Sequence, residues 1–161
     1  MYEKILVPTD GSETAETAVE HAVEMAKRYG ATLHALYIVD IDAVNFSLGT
    51  EQVDRLKAGR YEEMDEVREK AESATGRVAE RADEEGVEVV EEVRPGKPHD
   101  AIVKYAENND IDVIVMGSHG RGGVRRALLG SVTERTLRST HIPVLVVDHE
   151  GSDGQDARGD G

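Results

Sequence analysis

Apolar positions along this chain follow two alternating rhythms. The segments Lys4-Ile-Leu-Val-Pro8, Thr32-Leu-His-Ala-Leu-Tyr-Ile-Val39, Ile111 to Met116 and Val144 to Val147 are short, contiguous and rich in β-branched residues, as strands buried on both faces are. Val87 to Val93 alternates loosely, which predicts a fifth strand near an edge. Between them the spacing changes to that of a helix. Ala15, Ala18, Val19, Ala22, Val23 and Ala26 form one face, with Ser12 or Thr14 available as cap and Gly30 as terminator. A charged stretch from about Glu51 to Glu85 carries a thin stripe of Val53, Leu56, Met64, Val67, Ala71, Ala74, Val78 and Ala82. Gly59 and Gly76 argue against one unbroken helix there. Asp100 to Asn109 and Ser131 to Ser139 complete four helical segments. Pro95-Gly96-Lys97-Pro98 reads as a turn, and Asp40 to Thr50 as a loop holding Phe46, the chain's one Phe.

Five strands alternating with four helices predict an α/β domain: a doubly wound, open parallel sheet with helices on both faces. In such sheets ligands sit beyond the carboxyl ends of the strands, at the point where the winding reverses. Residues 1–148 read as one domain, and a tail from His149 to Gly161, rich in Gly and Asp, reads as disordered. A chain of 161 residues is long enough to bury roughly two-thirds of its unfolded surface in one core.

One of those carboxyl ends carries candidate chemistry. The strand ending at Met116 opens at Gly117 into a loop with Gly120, Gly122 and Gly123, which closes at Gly130-Ser131 where a helix begins. Glycines let backbone N–H groups approach a phosphate without Cβ interference, and a helix start adds the positive end of its dipole. Ser131 is the expected N-cap, with Glu134 completing a capping box. Neither G-x-x-x-x-G-K-[ST] nor G-x-G-x-x-G is present.

The pattern Gly117-x2-Gly120-x9-Gly130-Ser131 closely resembles the ATP-binding signature of the universal stress protein family. Lys4-Ile-Leu-Val-Pro-Thr-Asp-Gly-Ser12 and Pro143-Val-Leu-Val-Val147 resemble the same family, so the likeness spans nearly everything from Tyr2 to Val147. The resemblance implies a Rossmann-like, adenine nucleotide alpha hydrolase-like sheet in the order 3-2-1-4-5, with the crevice between the first and fourth strands. It implies that Asp10 contacts the adenosine and that Pro8 and Thr9 shape that wall. By the same likeness, backbone groups at Ile38 and Val39 read the adenine edge, and Met116 and Gly117 line the ribose. Gly120, Gly130, Ser131 and Val132 would present amides to the phosphates. The implied ligand is ATP, bringing Mg2+ with it, and the last strand would pair with its twin in a homodimer.

Arg121, Arg125 and Arg126 are the natural charge partners of a triphosphate, Arg121 first among them, because guanidinium groups pair well with phosphate oxygens. His119 invites a phosphate-contact or general-acid role, against the simpler reading of a solvated neighbour. His21, His34, His99, His141 and His149 lack metal-ligand spacing. Asp10 also has a local alternative, an Asx turn before the first helix.

Composition narrows the function further. A net charge of -14, from 33 acidic against 19 basic residues, repels nucleic acid and anionic membranes. It suits either an ordinary acidic cytosolic protein or a high-salt cytoplasm, where dense carboxylates keep a surface hydrated. Without cysteine there are no disulfides, thiolate catalysis or Cys-based zinc sites. With no signal-peptide layout and no membrane-length apolar run, the expectation is a soluble cytoplasmic protein.

Turnover is not expected beyond slow ATP hydrolysis: phosphoryl transfer needs metal-holding carboxylates and a positioned base, and only Asp10 and Asp40 fall near the crevice. An ATP-pyrophosphatase relative would carry S-G-G-x-[DS] where this chain has Thr9-Asp10-Gly11-Ser12. The sequence therefore reads as a nucleotide-responsive stress module. The alternative is a relative that binds no nucleotide and acts through dimerisation and protein partners.

Overall fold

The computed structural model describes residues 1–44, 65–119 and 129–149. Its elements are β1 (Lys4–Pro8), α1 (Glu13–Tyr29), β2 (Thr32–Asp40), α2 (Ile41–Val44), α3 (Asp65–Glu84), β3 (Val89–Gly96), α4 (Pro98–Asn108), β4 (Val113–Gly117), α5 (Ser131–Ser139) and β5 (Val144–Val147). The five strands form one parallel sheet in the order β3-β2-β1-β4-β5, as expected. Phe46, Val53, Leu56, Gly59, Met64 and the tail beyond His149 lie outside the described residues.

Strand alternation divides the core in two. Ile5, Val7, Leu33, Ala35, Val113 and Val115 face α1 and α3, meeting Val23, Ala26, Val78 and Ala82. Leu6, Leu36, Ile114 and Met116 face the other way and pack with Ile102, Tyr105 and Ala106 of α4. Central strands that are apolar on both faces need exactly this double covering. Asp112 fixes the start of the central pair, its carboxylate accepting from the backbone N–H of Glu3 at 2.8 Å and of Lys4 at 3.0 Å.

Local chemistry sets the helix ends. Ser12 caps α1 through a 3.2 Å bond from the Ala15 N–H, and Gly30 ends it at φ 65°. α3 runs through Gly76 without a break, burying Ala71, Ala74, Thr75, Val78 and Ala82. On the outside α3 is tied to α1 by Arg77 to Glu16 at 3.1 Å and Arg81 to Glu20 at 2.8 Å. Lys27 and Arg81 both pair with Glu85, which holds that half-buried carboxyl below its usual range.

Three expectations are corrected. Pro95 and Gly96 continue β3, pairing with Val39 and Asp40, instead of forming the turn. An edge strand tolerates a residue without an N–H, since one of its sides makes no ladder. Asp40 to Thr50 does not begin as a loop: Asp40 Oδ1 accepts from the Asp42 N–H at 3.0 Å and starts the short helix α2. The capping box at α5 does not form. Gly130 is the N-cap, with no side-chain cap, Ser131 is the first helical residue, and Glu134 pairs with Arg138 at 2.8 Å.

Candidate functional site

β1 is flanked by β2 on one side and β4 on the other, so the winding reverses between β1 and β4. Thr9-Asp10-Gly11 and Gly117-Ser118-His119 therefore leave adjacent parallel strands at one edge of the sheet. Thr9 is buried, its N–H donating to the Leu36 carbonyl at 2.9 Å and its hydroxyl accepting from Gly11 N–H at 3.2 Å. Asp10 Oδ1 accepts from the Ser12 N–H at 2.9 Å, so the Asx turn is formed and occupies one carboxylate oxygen.

The β4 exit is held tightly. A Cβ on Gly117 would lie 2.6 Å from Thr14 Cγ2, so only glycine lets β4 pass so close to α1. The Gly117 carbonyl accepts from the Thr133 hydroxyl at 2.8 Å, which pins the first turn of α5 to the strand end. Ser118 is buried and fully engaged: its carbonyl accepts from Gly130 N–H at 2.7 Å, its N–H donates to the Val147 carbonyl at 2.8 Å, and its hydroxyl donates to Asp148 Oδ1 at 2.8 Å. Gly130 rests on the next residue, since a Cβ there would sit 3.0 Å from His119 Cα. α5 thus begins at the carboxyl edge with an exposed Ser131 and an N-cap that offers no side chain to its amides.

On the α4 and α5 face, Ile38, Val132 and Val144 pack around Met116 and its neighbours, giving the crevice an apolar wall. A cavity of about 190 Å³ opens on the opposite, α1 and α3 face, lined by Thr9, Gly11, Val19, Ala74, Arg77 and Arg81 among others. Both arginines there are already paired with glutamates of α1.

The sequence matches the Universal stress protein family over residues 1–148. The chain belongs to that family. A universal stress protein of Methanocaldococcus jannaschii, MJ0531, is 38% identical over 148 residues, covering 91% of this chain and 82% of its own length. The solved structure of MJ0577 from the same organism is 35% identical, covers 94% of this chain and 99% of its own, and superposes with a TM-score of 0.72. A universal stress protein from Archaeoglobus fulgidus, in complex with dAMP, shares the fold at 24% identity and a TM-score of 0.66, over 91% of this chain and 98% of its own.

In this universal stress protein the signature residues Gly117, Gly130 and Ser131 come together at one edge, with Pro8, Thr9, Asp10, Ile38, Val39, Met116 and Val132 on the flanking elements. Gly120, Arg121, Arg125 and Arg126 lie outside the described residues. His119 turns its ring to hydroxyls: Nε2 lies 3.2 Å from Thr14 Oγ1 and Nδ1 3.1 Å from Ser118 Oγ. His34 is a satisfied core residue, bonded to Tyr105. Among the described residues no group of three metal-ligating side chains converges and no helix is long and apolar enough to cross a membrane. Thr14, Ser118 and Thr133, which build the strand exits, have no sequence signal beyond being small hydroxyl residues near glycines.

Proposed function

We propose that this universal stress protein binds ATP, with the adenosine in the crevice between β1 and β4 and the triphosphate at the start of α5. The observation that carries the reading is the α5 N-terminus. It has no side-chain cap, and it is seated by Gly130 against Ser118 and His119 at the edge where β1 and β4 part. The N–H groups of Ser131, Val132 and Thr133, with the helix dipole behind them, form an anion seat. Gly130 contributes shape more than donation, because its N–H is committed to the Ser118 carbonyl.

The remaining roles follow the family signature. Gly120 would present its amide and Arg121 its charge to the phosphates, Met116 and Gly117 border the ribose, Asp10 contacts the adenosine beside the wall shaped by Pro8 and Thr9, and the backbone at Ile38 and Val39 meets the adenine. Magnesium arrives with the nucleotide. The protein acts as a cytoplasmic regulator with at most slow ATP hydrolysis: Asp10 spends one carboxylate oxygen on its turn, and both ring nitrogens of His119 are engaged by hydroxyls.

Assembly is part of the same proposal. β5 is an edge strand with an exposed Leu145, and pairing with the same strand of a second copy would cover it. Titrating the protein with ATP and magnesium tests the reading. One saturable site per chain is expected, and no binding at millimolar nucleotide would overturn it.

A further inference from the structure

Thr14, in the first turn of α1, is where the β4 exit docks. The space above its methyl is the space that Gly117 leaves empty, and its backbone carbonyl would lie 3.2 Å from a Cβ at that position. Its hydroxyl is 3.2 Å from His119 Nε2. The other ring nitrogen meets Ser118 Oγ at 3.1 Å, and that hydroxyl continues to Asp148 just beyond β5. On its far side the His119 backbone forms the surface on which Gly130, the N-cap of α5, is seated. One half-buried residue therefore links α1, the extension of β5 and the start of α5.

We propose that His119 is a positioning residue of the nucleotide site, bracing the start of α5 against α1 through Thr14 instead of touching phosphate itself. This rests on the reading that the phosphates occupy that helix start. Because the Ser118 hydroxyl gives its proton to Asp148, it accepts from His119 Nδ1–H, which leaves Nε2 of the neutral ring to accept from the Thr14 hydroxyl. Its contribution is order. A seat whose amides are already fixed binds a triphosphate without first immobilising its own loop, and that saving appears as affinity. A direct phosphate contact would owe nothing to Thr14, whereas a brace is lost from whichever end is cut.

The experiment is calorimetric titration of ATP with magnesium into wild type, His119→Ala, Thr14→Val, the double variant and His119→Gln, each checked for a cooperative melt. Expected are losses of threefold or more for His119→Ala and for Thr14→Val. The double variant should be no weaker than the poorer single one, and His119→Gln should recover most of the affinity, since its amide can reach a hydroxyl. Thr14→Val keeps the shape and branching of the buried residue, so it decides the matter even if His119→Ala does not fold. Wild-type affinity in Thr14→Val, or losses that add in the double variant, would overturn the brace. A wild type that binds no ATP would instead overturn the functional reading and the brace with it.

Discussion

His34 Nδ1 and the Tyr105 hydroxyl share a 2.7 Å hydrogen bond inside the α4 side of the sheet. Burial, helped by Lys4, lowers the His34 pKa below its ordinary 6.5, so the folded protein disfavours the imidazolium. Between the lowered value and about 6.5 the unfolded chain binds more protons, so stability rises with pH in that window. The His34 contribution is complete above about pH 6.5 and declines as the pH falls further. Melting curves of wild type and His34→Asn from pH 7.5 down to 5 should converge as pH falls. Tyr105→Phe leaves the ring nitrogen unpaired and should cost about 1–3 kcal/mol near pH 7, read by urea denaturation.

Gly117 admits no side chain. A methyl there would meet the Thr14 methyl at 2.6 Å and its backbone at 3.2 Å, and the backbone cannot yield as a flexible side chain does. Gly117→Ala should therefore destabilise the fold by about 1–3 kcal/mol, the usual cost of overpacking. Gly76→Ala serves as the opposite control, since a Cβ at that half-buried helical position would meet no heavy atom within 4 Å beyond its own stretch of helix. It should raise stability by about 0.5–1 kcal/mol. Equal midpoints for the two variants in urea would contradict this account.

Leu145 is 39% exposed on the edge strand β5, beside a parallel neighbour on one side only. A charged residue at that place would oppose edge-to-edge pairing. Sedimentation should show a wild-type dimer at micromolar concentration and a monomeric Leu145→Lys variant with an unchanged melt. A wild-type monomer would remove the assembly part of the proposal.

Much of this was legible in the residues. The apolar runs of β1, β4 and β5 and the heptad-like face of α1 gave their elements, because burial on both sides of a parallel sheet leaves a plain pattern. Where the reading failed, tertiary contact outweighed local preference. Pro95 and Gly96 are turn formers, yet on the edge strand β3 they simply extend the ladder beside Val39 and Asp40. Ser131 was the natural cap, but Gly130, seated against His119 and bonded to Ser118, sets the helix start one residue earlier. The partner of His119 is Thr14, 105 positions away in sequence, and no local pattern could announce it.

The central claim is that phosphate is held by the free N–H groups at the start of α5, and one substitution addresses it directly. Ser131 occupies the first helical position, where proline is well accommodated, and Gly130 before it has φ -64° and ψ 153°, a conformation that a following proline favours. Ser131→Pro thus deletes one donor while keeping the helix. Calorimetry of ATP with magnesium, run on wild type and Ser131→Pro at low and at multimolar salt, should show saturable wild-type binding. The variant, with its melt unchanged, should bind about 10- to 100-fold more weakly, matching roughly 1.5–3 kcal/mol for a hydrogen bond to a charged group. ATP binding that is equally tight in both proteins would contradict the account and place the phosphates elsewhere.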